Sequence, residues 1–386
     1  MKVFFFDFTI NFGGAPQGSL YLMSRLKEEG INVAIVDVYG RSQPYRDRAL
    51  SYNLDYFTIH PDAKNISIGY NNKPWLRVLA MLKQSKDFLT ILIKLYNFVK
   101  KHKPDFFIVN NEKSLFFLKL IKNIFNFKII LYFRSEGLPS QLNPRFVKSL
   151  INDTDHIVAH SRKAIENLKN VSIPESKLTF IPNCIELDRF QVPELSKGLP
   201  KRKKFRLILA AARPVKEKGH HIAIQAVYEL EKKNIHVDLL IPGIVPTGVD
   251  NSYYDYLQDL IVKYNLKESV YFIGWRENLI ADIVQCDAVI LPSHTEGFPR
   301  SVIEAMLHQV PVIATPVGGI PEAIQHGKTG LLFEVDNTEQ LVENLNSIIN
   351  DNNLRESIIN NAYIYSHDYF NPKNNTQGII SVLEKV

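Results

Sequence analysis

The chain has 386 residues, 45% of them apolar and 22% charged, and a formal net charge of +6. That length exceeds one compact core and fits two domains, and the composition excludes disordered, collagen-like and disulfide-framed classes. Two cysteines, Cys184 and Cys286, make neither a disulfide framework nor a metal cluster, which fits a reducing, cytoplasmic compartment.

In chain order, "KVFFFDF" reads as a buried first strand, because its apolar run breaks at Asp7 and no small-residue cleavage site follows, unlike a signal peptide. "GGAPQGSLYLMSRLKEEG" is a glycine-rich turn and a helix ending at Gly30, and "INVAIVDVY" is a second strand. A poorly patterned region runs to about Pro74, followed by a long helix to about Lys103. "DFFIVNN", "FKIILYF" and "HIVAHS" are short buried strands separated by helices. After the Pro-, Lys- and Gly-rich "IPNCIELDRFQVPELSKGLPKRKKF", read as a linker, come "RLILAAA", "VDLLIPG", "SVYFIG", "AVILPS" and "VPVIATP", each with a loop and a helix behind it. Apolar runs alternating with helices indicate parallel sheets covered on both faces, hence two doubly wound α/β domains. The expected boundaries are 1–187 and 188–365, with a helical tail, 366–386, completing the first domain. No run approaches the ~20 apolar residues that span a bilayer.

In such sheets ligands bind outside the carboxyl ends of the strands. "HTEGFPRSVIEAM" lies there, with Glu296 in the loop and Glu304 in a helix that begins near Pro299. A helix start offers free N–H groups and a positive dipole end for a phosphate. A glutamate beside phosphates is unfavourable unless it serves hydroxyls, so the pair suggests a nucleotide sugar: Glu304 on a ribose diol, Glu296 on a polyol. The plainer reading makes Glu296 a helix cap and Glu304 a surface residue. Arg213 and Lys218, in the loop after "RLILAAA", can straddle a diphosphate, or can be merely solvated cations. Gly13 and Gly14 follow the first strand and let the backbone approach a ligand, although a Gly-Gly turn joins many strands to helices.

"EGFPRSVIEAM…VPVIATPVGGIPEAI", with "ARPVKEKG" and "IPNCIELDRF" upstream, resembles the retaining glycosyltransferases of family 4, which have the two-domain GT-B fold. The resemblance covers the second half strongly and the first half weakly, through "FGGA" and the strand rhythm. It implies two Rossmann-like domains whose sheets face a central cleft. It assigns Glu304 to the donor ribose, Glu296 to the donor sugar beside the reacting carbon, and Arg213 and Lys218 to the diphosphate. Gly13 and Gly14 would approach the phosphates from the other domain. Gly297 and the amides around Phe298, Arg300 and Ser301 would complete the phosphate cradle. Gly243, closing "VDLLIPG", and Arg276, beside Trp275 where the family contacts the base, extend the donor set. Many members carry a histidine at the end of a middle strand; "IILYFRSEGLPS" has Arg134, Ser135 and Glu136 there, making Arg134 and Glu136 candidates for its catalytic role beside Glu296. Cys184 stands where glycine is usual, and Leu307, His308 and Gln309 where small residues are.

The implied reaction moves a hexose-type unit from a UDP- or GDP-sugar with retention of configuration. No Asp-x-Asp flanks a strand end in a way that suggests Mg²⁺ ligation, so Arg213, Lys218 and the helix dipole are expected to replace a metal, and no cofactor is expected. The basic excess, roughly +9 on residues 1–188 against about −3 on the rest, puts the acceptor on the first domain. "KPWLRVLAMLKQSKDFLTILIKLYNFVKKHK" interleaves eight Lys/Arg with apolar residues. Trp75, Arg77, Lys83, Lys86 and Lys94 would then lie on an anionic membrane, fitting a lipid-linked saccharide acceptor of bacterial surface polysaccharide synthesis at the inner membrane face. The alternative for that segment is a core helix with lysines on its wet face. For the whole chain the alternatives are a nucleotide-sugar epimerase, which needs no acceptor surface, and a non-catalytic nucleotide- or nucleic-acid-binding protein. No nucleic-acid motif is present to support the last.

Overall fold

The structure, a computed structural model, describes all residues except 11, 67–73, 187–193, 203, 212, 244–250 and 277, and only the backbone of 74–83 and 141. In chain order the first part runs β1 (Lys2–Asp7), α1 (Gly14–Glu28), β2 (Asn32–Asp37), α2 (Gln43–Ser51), β3 (Asp55–Thr58), α3 (Pro74–His102), β4 (Phe106–Val109), α4 (Glu112–Lys122), β5 (Lys128–Phe133), α5 (Pro144–Asp153), β6 (His156–Ala159), α6 (Arg162–Asn170) and β7 (Leu178–Phe180). The second part runs β8 (Phe205–Leu209), α7 (His220–Lys232), β9 (Val237–Pro242), α8 (Ser252–Lys263), β10 (Val270–Gly274), α9 (Leu279–Ile283), β11 (Ala288–Leu291), α10 (Arg300–Leu307), β12 (Val312–Ala314), α11 (Ile320–Ala323), β13 (Leu331–Leu332), α12 (Thr338–Asn350), α13 (Asn352–Tyr369) and α14 (Pro372–Lys385).

Two all-parallel sheets result, ordered β3-β2-β1-β4-β5-β6-β7 and β10-β9-β8-β11-β12-β13. The α/β, doubly wound expectation therefore holds. In each sheet the strand order reverses once, between β1 and β4 and between β8 and β11. At such a switch point the two flanking loops part and leave a crevice above the carboxyl ends. The strands are apolar on both faces because helices cover both: β9 is buried throughout, and β1 from its second residue. Phe107 meets Phe4 and Phe6 edge-on, at 6.2 Å and 6.1 Å. Each such pair adds about 0.5–1.5 kcal/mol beyond the area it buries.

The chain divides into two compact units, Met1–His160 with Ile165–Pro182 and Lys373–Val386, and Ser161–Ala164 with Asn183–Pro372. The first unit's second segment ends at Pro182, and its third, the tail, begins at Lys373. α13 stays with the second unit through the buried Ile358 and Ala362. α14 packs Ile379, Val382 and Leu383 into the first core, and Asn375 Nδ2 donates to Pro182 O at 2.7 Å.

Four elements escape the sequence pattern. α2 and β3 occupy part of the region read as unpatterned; α2 buries only Tyr45 and Ala49, and β3 is an edge strand with no fully buried residue. β7 and β13 are edge strands of three and two residues, too short to alternate visibly.

Candidate active site

In the second unit the loops after β8, β11 and β12 converge, since β8, β11 and β12 are neighbours. Lys218 ends the first loop and Glu296 lies in the second. Glu296 Oε1 accepts from Lys218 Nζ at 2.5 Å and from Ser293 Oγ at 2.7 Å. Lys218 Nζ also reaches Thr295 O at 3.4 Å. The pair is sheltered, with 12% of the Glu296 side chain and 27% of the Lys218 side chain exposed. Thr315 Oγ1, past the end of β12, donates to Ser293 O at 2.5 Å and so ties the loops after β11 and β12 together.

Glycines permit this convergence. Gly219 has φ +66, and a Cβ there would sit 1.9 Å from Pro292 O. Gly318 has φ +56, and its Cβ would sit 1.8 Å from Glu296 O. At both positions the handedness of the backbone and the close approach of another backbone exclude a side chain. Gly319 N donates to Gly297 O at 2.7 Å, completing the contact between the two loops.

α10 begins at Arg300, with Pro299 as its N-cap, one residue later than the sequence suggested, and no side chain caps it. Glu296 is therefore not a cap. Glu304 is not a surface residue either: it is 6% exposed, with Arg300 Nε 3.9 Å from its Oε1. A carboxylate withdrawn from water this far needs charge or donors to offset its lost hydration. Ser301 Oγ donates to Ala210 O at 3.4 Å, linking the start of α10 to the end of β8. Phe298 is buried, its ring 5.3 Å from that of Phe370.

The remaining donor-side candidates are less united. Arg213 is exposed in the loop after β8. Gly243 follows β9 with φ +125, its N–H donating to Gly274 O at 2.8 Å. Arg276 forms a fork on the fully buried Asp282, both bonds 2.8 Å, and this bonding raises its pKa. Its Nε and Nη2 are thus engaged inside the protein, while Trp275 beside it is 54% exposed. Glu194, Leu195, Lys197, Trp275 and Asn278 help line a cavity of about 460 Å³.

In the first unit Gly13 is the N-cap of α1, with an ordinary φ of −138 and nothing within 4 Å of a Cβ placed there. The fold itself imposes no glycine at that position. Arg134 Nη2 donates to Ser19 Oγ at 2.9 Å and its guanidinium lies 5.0 Å over the Tyr132 ring. Glu136 is 8% exposed, and its carbonyl accepts from Asn167 Nδ2 at 3.0 Å. A histidine does stand at a neighbouring strand end. His160, just past β6, is buried, its Nδ1 is 3.0 Å from Ile181 O, and its ring meets Tyr132 edge-on at 4.4 Å. Burial, with Arg134 nearby, pushes its pKa down to about 3, so it stays neutral.

The side chains of Trp75, Arg77 and Lys83 lie outside the described residues; Lys86 and Lys94 are exposed on α3. The Asp-x-Asp of the chain, Asp153 to Asp155, precedes β6 and so lies at its amino end. Lys119, Lys122 and Lys128 engage it. Sequence reasoning passed over Ser293, Gly219 and Gly318. The signal available was small or glycine residues directly behind buried strands, in "LPS", "EKG" and "PVGG".

Residues 12–189 match the family described as Glycosyltransferase Family 4, and residues 191–365 that of glycosyl transferases group 1. The chain is 26% identical over 334 residues, 80% of its length and 84% of the other, to a Staphylococcus aureus protein named capsular polysaccharide biosynthesis glycosyltransferase CapM. A Campylobacter jejuni N-acetylgalactosamine-N,N'-diacetylbacillosaminyl-diphospho-undecaprenol 4-alpha-N-acetylgalactosaminyltransferase is 28% identical over 225 residues, 58% of each chain. The crystal structure of Anabaena Alr3699/HepE in complex with UDP-glucose is similar in fold, with a TM-score of 0.80 over 100% of both chains at 19% identity.

Proposed function

Because the chain is a glycosyltransferase of the family 4 kind with the GT-B fold, we propose that it transfers a sugar from a UDP-sugar to a lipid-linked saccharide, retaining the anomeric configuration without a metal. The observation that carries this reading is the arrangement around α10: an uncapped helix start between the buried Glu304 and the Lys218-paired Glu296. A nucleoside diphosphate sugar matches that order of groups. Its ribose hydroxyls donate to Glu304, its phosphates meet the N–H groups of the helix start, and its sugar hydroxyls meet Glu296.

Catalysis then rests on charge set in place before the reaction. The leaving diphosphate gains negative charge as the glycosidic bond breaks, and the helix start, Lys218 and Arg213 neutralise it; Glu296 faces the cationic sugar. UDP is favoured over GDP because the fold neighbour named above holds UDP-glucose, and the acceptor class follows the undecaprenol-linked substrate in the Campylobacter relative's name. A surface that mixes exposed apolar side chains with lysines supports that class. Leu89 and Ile93 on α3, and Leu120 and Ile124 at the end of α4, are exposed among Lys86 and Lys94. α3 packs on α4 through Phe88–Phe117 at 5.1 Å and on the turn after it through Tyr96–Phe125 at 5.0 Å. No described helix is long and apolar enough to cross a membrane.

The test is a thermal-shift panel of UDP-, GDP-, ADP- and dTDP-sugars, with and without EDTA, on wild type and Glu304→Ala. A ligand that binds only the folded state raises its melting temperature. Stabilisation by the UDP-sugars alone, indifferent to EDTA and weakened in the variant, is expected. No shift with any nucleotide at saturating concentration sinks the donor-site assignment.

A further inference from the structure

Beside the donor loops, and outside the roles assigned to them, two imidazoles and a carboxylate come together. His221 is in the first turn of α7, His294 in the loop after β11, and Asp336 in the turn after β13. One ligand atom from each lies within 4.8 Å of the other two. His294 Nε2 is 2.8 Å from Asp336 Oδ1, yet that nitrogen is buried and out of line for a hydrogen bond. Two atoms able to ligate a metal are thus brought side by side with no hydrogen bond between them. His221 is oriented from behind. Its Nδ1 is 2.8 Å from Tyr253 Oη, and its backbone N–H donates to the same oxygen at 3.3 Å. A ring nitrogen anchored in this way leaves Nε2 for a ligand, as a second hydrogen bond commonly does for metal-binding histidines.

We propose that His221, His294 and Asp336 form a binding site for a borderline divalent transition ion of the zinc class. Two imidazole nitrogens and one carboxylate oxygen suit Zn²⁺, Co²⁺ or Ni²⁺, and disfavour Mg²⁺, which prefers oxygen ligands and keeps its waters. Tetrahedral bonding brings ligand atoms to about 3.3 Å from one another, so the triad closes by a small movement. Asp336, with 58% of its side chain exposed and φ +62 in its turn, is the arm free to make it.

The site is an accessory to the transferase reading and does not depend on it. His294 is two residues before Glu296 and His221 three after Lys218, and His294 N donates to Glu217 O at 2.8 Å. An ion here fastens the loops that carry the Lys218–Glu296 pair to each other and to the turn after β13. It takes part in no step of the reaction.

The experiment uses tag-free, chelator-stripped, full-length protein. Addition of Co²⁺ is expected to give the intense visible absorption of a four-coordinate ion rather than the faint colour of the aqueous one. Zn²⁺ should raise the melting temperature of the second unit by roughly 5–11 °C at a hundredfold excess over Kd, and Mg²⁺ should not. His221→Gln and Asp336→Asn, the latter keeping a side chain that tolerates positive φ, should each weaken Zn²⁺ binding at least tenfold. Absence of the four-coordinate spectrum in wild type overturns the site. So does a Zn²⁺ shift that survives in both variants, because the ion is then held elsewhere on the surface.

Discussion

Replacing Gly318 by alanine tests whether the convergence of strand-end loops holds the candidate site in shape. The residue has φ +56, where an alanine costs about 1–2 kcal/mol relative to glycine. The new Cβ would lie 1.8 Å from Glu296 O and 2.6 Å from its carbonyl carbon, against the 3.4 Å at which ordinary contact begins. Both atoms are backbone, so no rotamer change relieves the overlap. The loop bearing Glu296 has to retreat, which also breaks the 2.7 Å bond from Gly319 N to Gly297 O, worth about 0.5–1.5 kcal/mol. Together these two terms predict a loss of roughly 1.5–3.5 kcal/mol, or about 3–14 °C in the melting of the second unit. Calorimetry reads the loss of stability, and titration with UDP-glucose reads the site; affinity should fall at least tenfold as Glu296 moves. Gly13→Ala is the control. With φ −138 and nothing within 4 Å of the new Cβ, it should change stability by no more than about 0.5 kcal/mol. A Gly318→Ala protein melting within ~2 °C of wild type with unchanged affinity would refute the argument.

Two other outcomes follow from the structure. His220 is fully buried, and burial lowers its pKa to about 4, while His160 is lowered to about 3. Both stay neutral in the fold while the unfolded chain protonates them near 6.5, so their contribution is fully present above pH 6.5. It is lost as pH falls toward 4, by up to ~1.4 kcal/mol per pH unit for each histidine. Asp7 and Asp37, raised by burial, act in the opposite sense as they take up protons. The checkable quantity is therefore a difference in slope. His220→Gln should reduce the fall in stability between pH 6.5 and 5, and a slope equal to that of wild type counts against the neutral buried imidazole. Lys86→Glu with Lys94→Glu should weaken co-flotation with anionic liposomes roughly tenfold or more, at about 1 kcal/mol per basic residue near the surface. Equal flotation would leave α3 an ordinary helix with a wet basic face.

The parallel sheets and the strand-end position of the site were legible because buried strands leave apolar runs that the neighbouring helices do not. Edge strands leave little trace. β13 has two residues and β3 none fully buried, so neither alternation nor an apolar run marks them. Glu296 and Glu304 were visible as types in a motif, but not their states. Burial of Glu304 depends on Arg300 one turn earlier and on packing around α10, and the bond to Glu296 comes from Lys218, 78 residues away in sequence. Arg276 shows the converse. Its position suggested a ligand contact, and only the structure reveals that its fork is taken by Asp282.

The Lys218–Glu296 bond also bears on the order of events at the site. On the proposed reading both side chains serve the donor, yet without it they serve each other. A sheltered carboxylate without a partner would be costly, and so would a sheltered ammonium; the bond offsets both costs until a ligand arrives. An incoming diphosphate offers Lys218 a stronger anion, and the sugar hydroxyls arriving with it offer Glu296 new donors. Neither exchange is favourable alone, because each strands the other partner. Nucleotide without sugar would release Lys218 and leave Glu296 with Ser293 as its remaining bond partner described here. The intact nucleotide sugar should therefore bind more tightly than the diphosphate alone in wild type, and Glu296→Gln, which has no charge to strand, should narrow that gap. Calorimetric titration of UDP and UDP-glucose against both proteins measures it directly. A gap of the same size in the variant would mean that Lys218 and Glu296 act independently of each other.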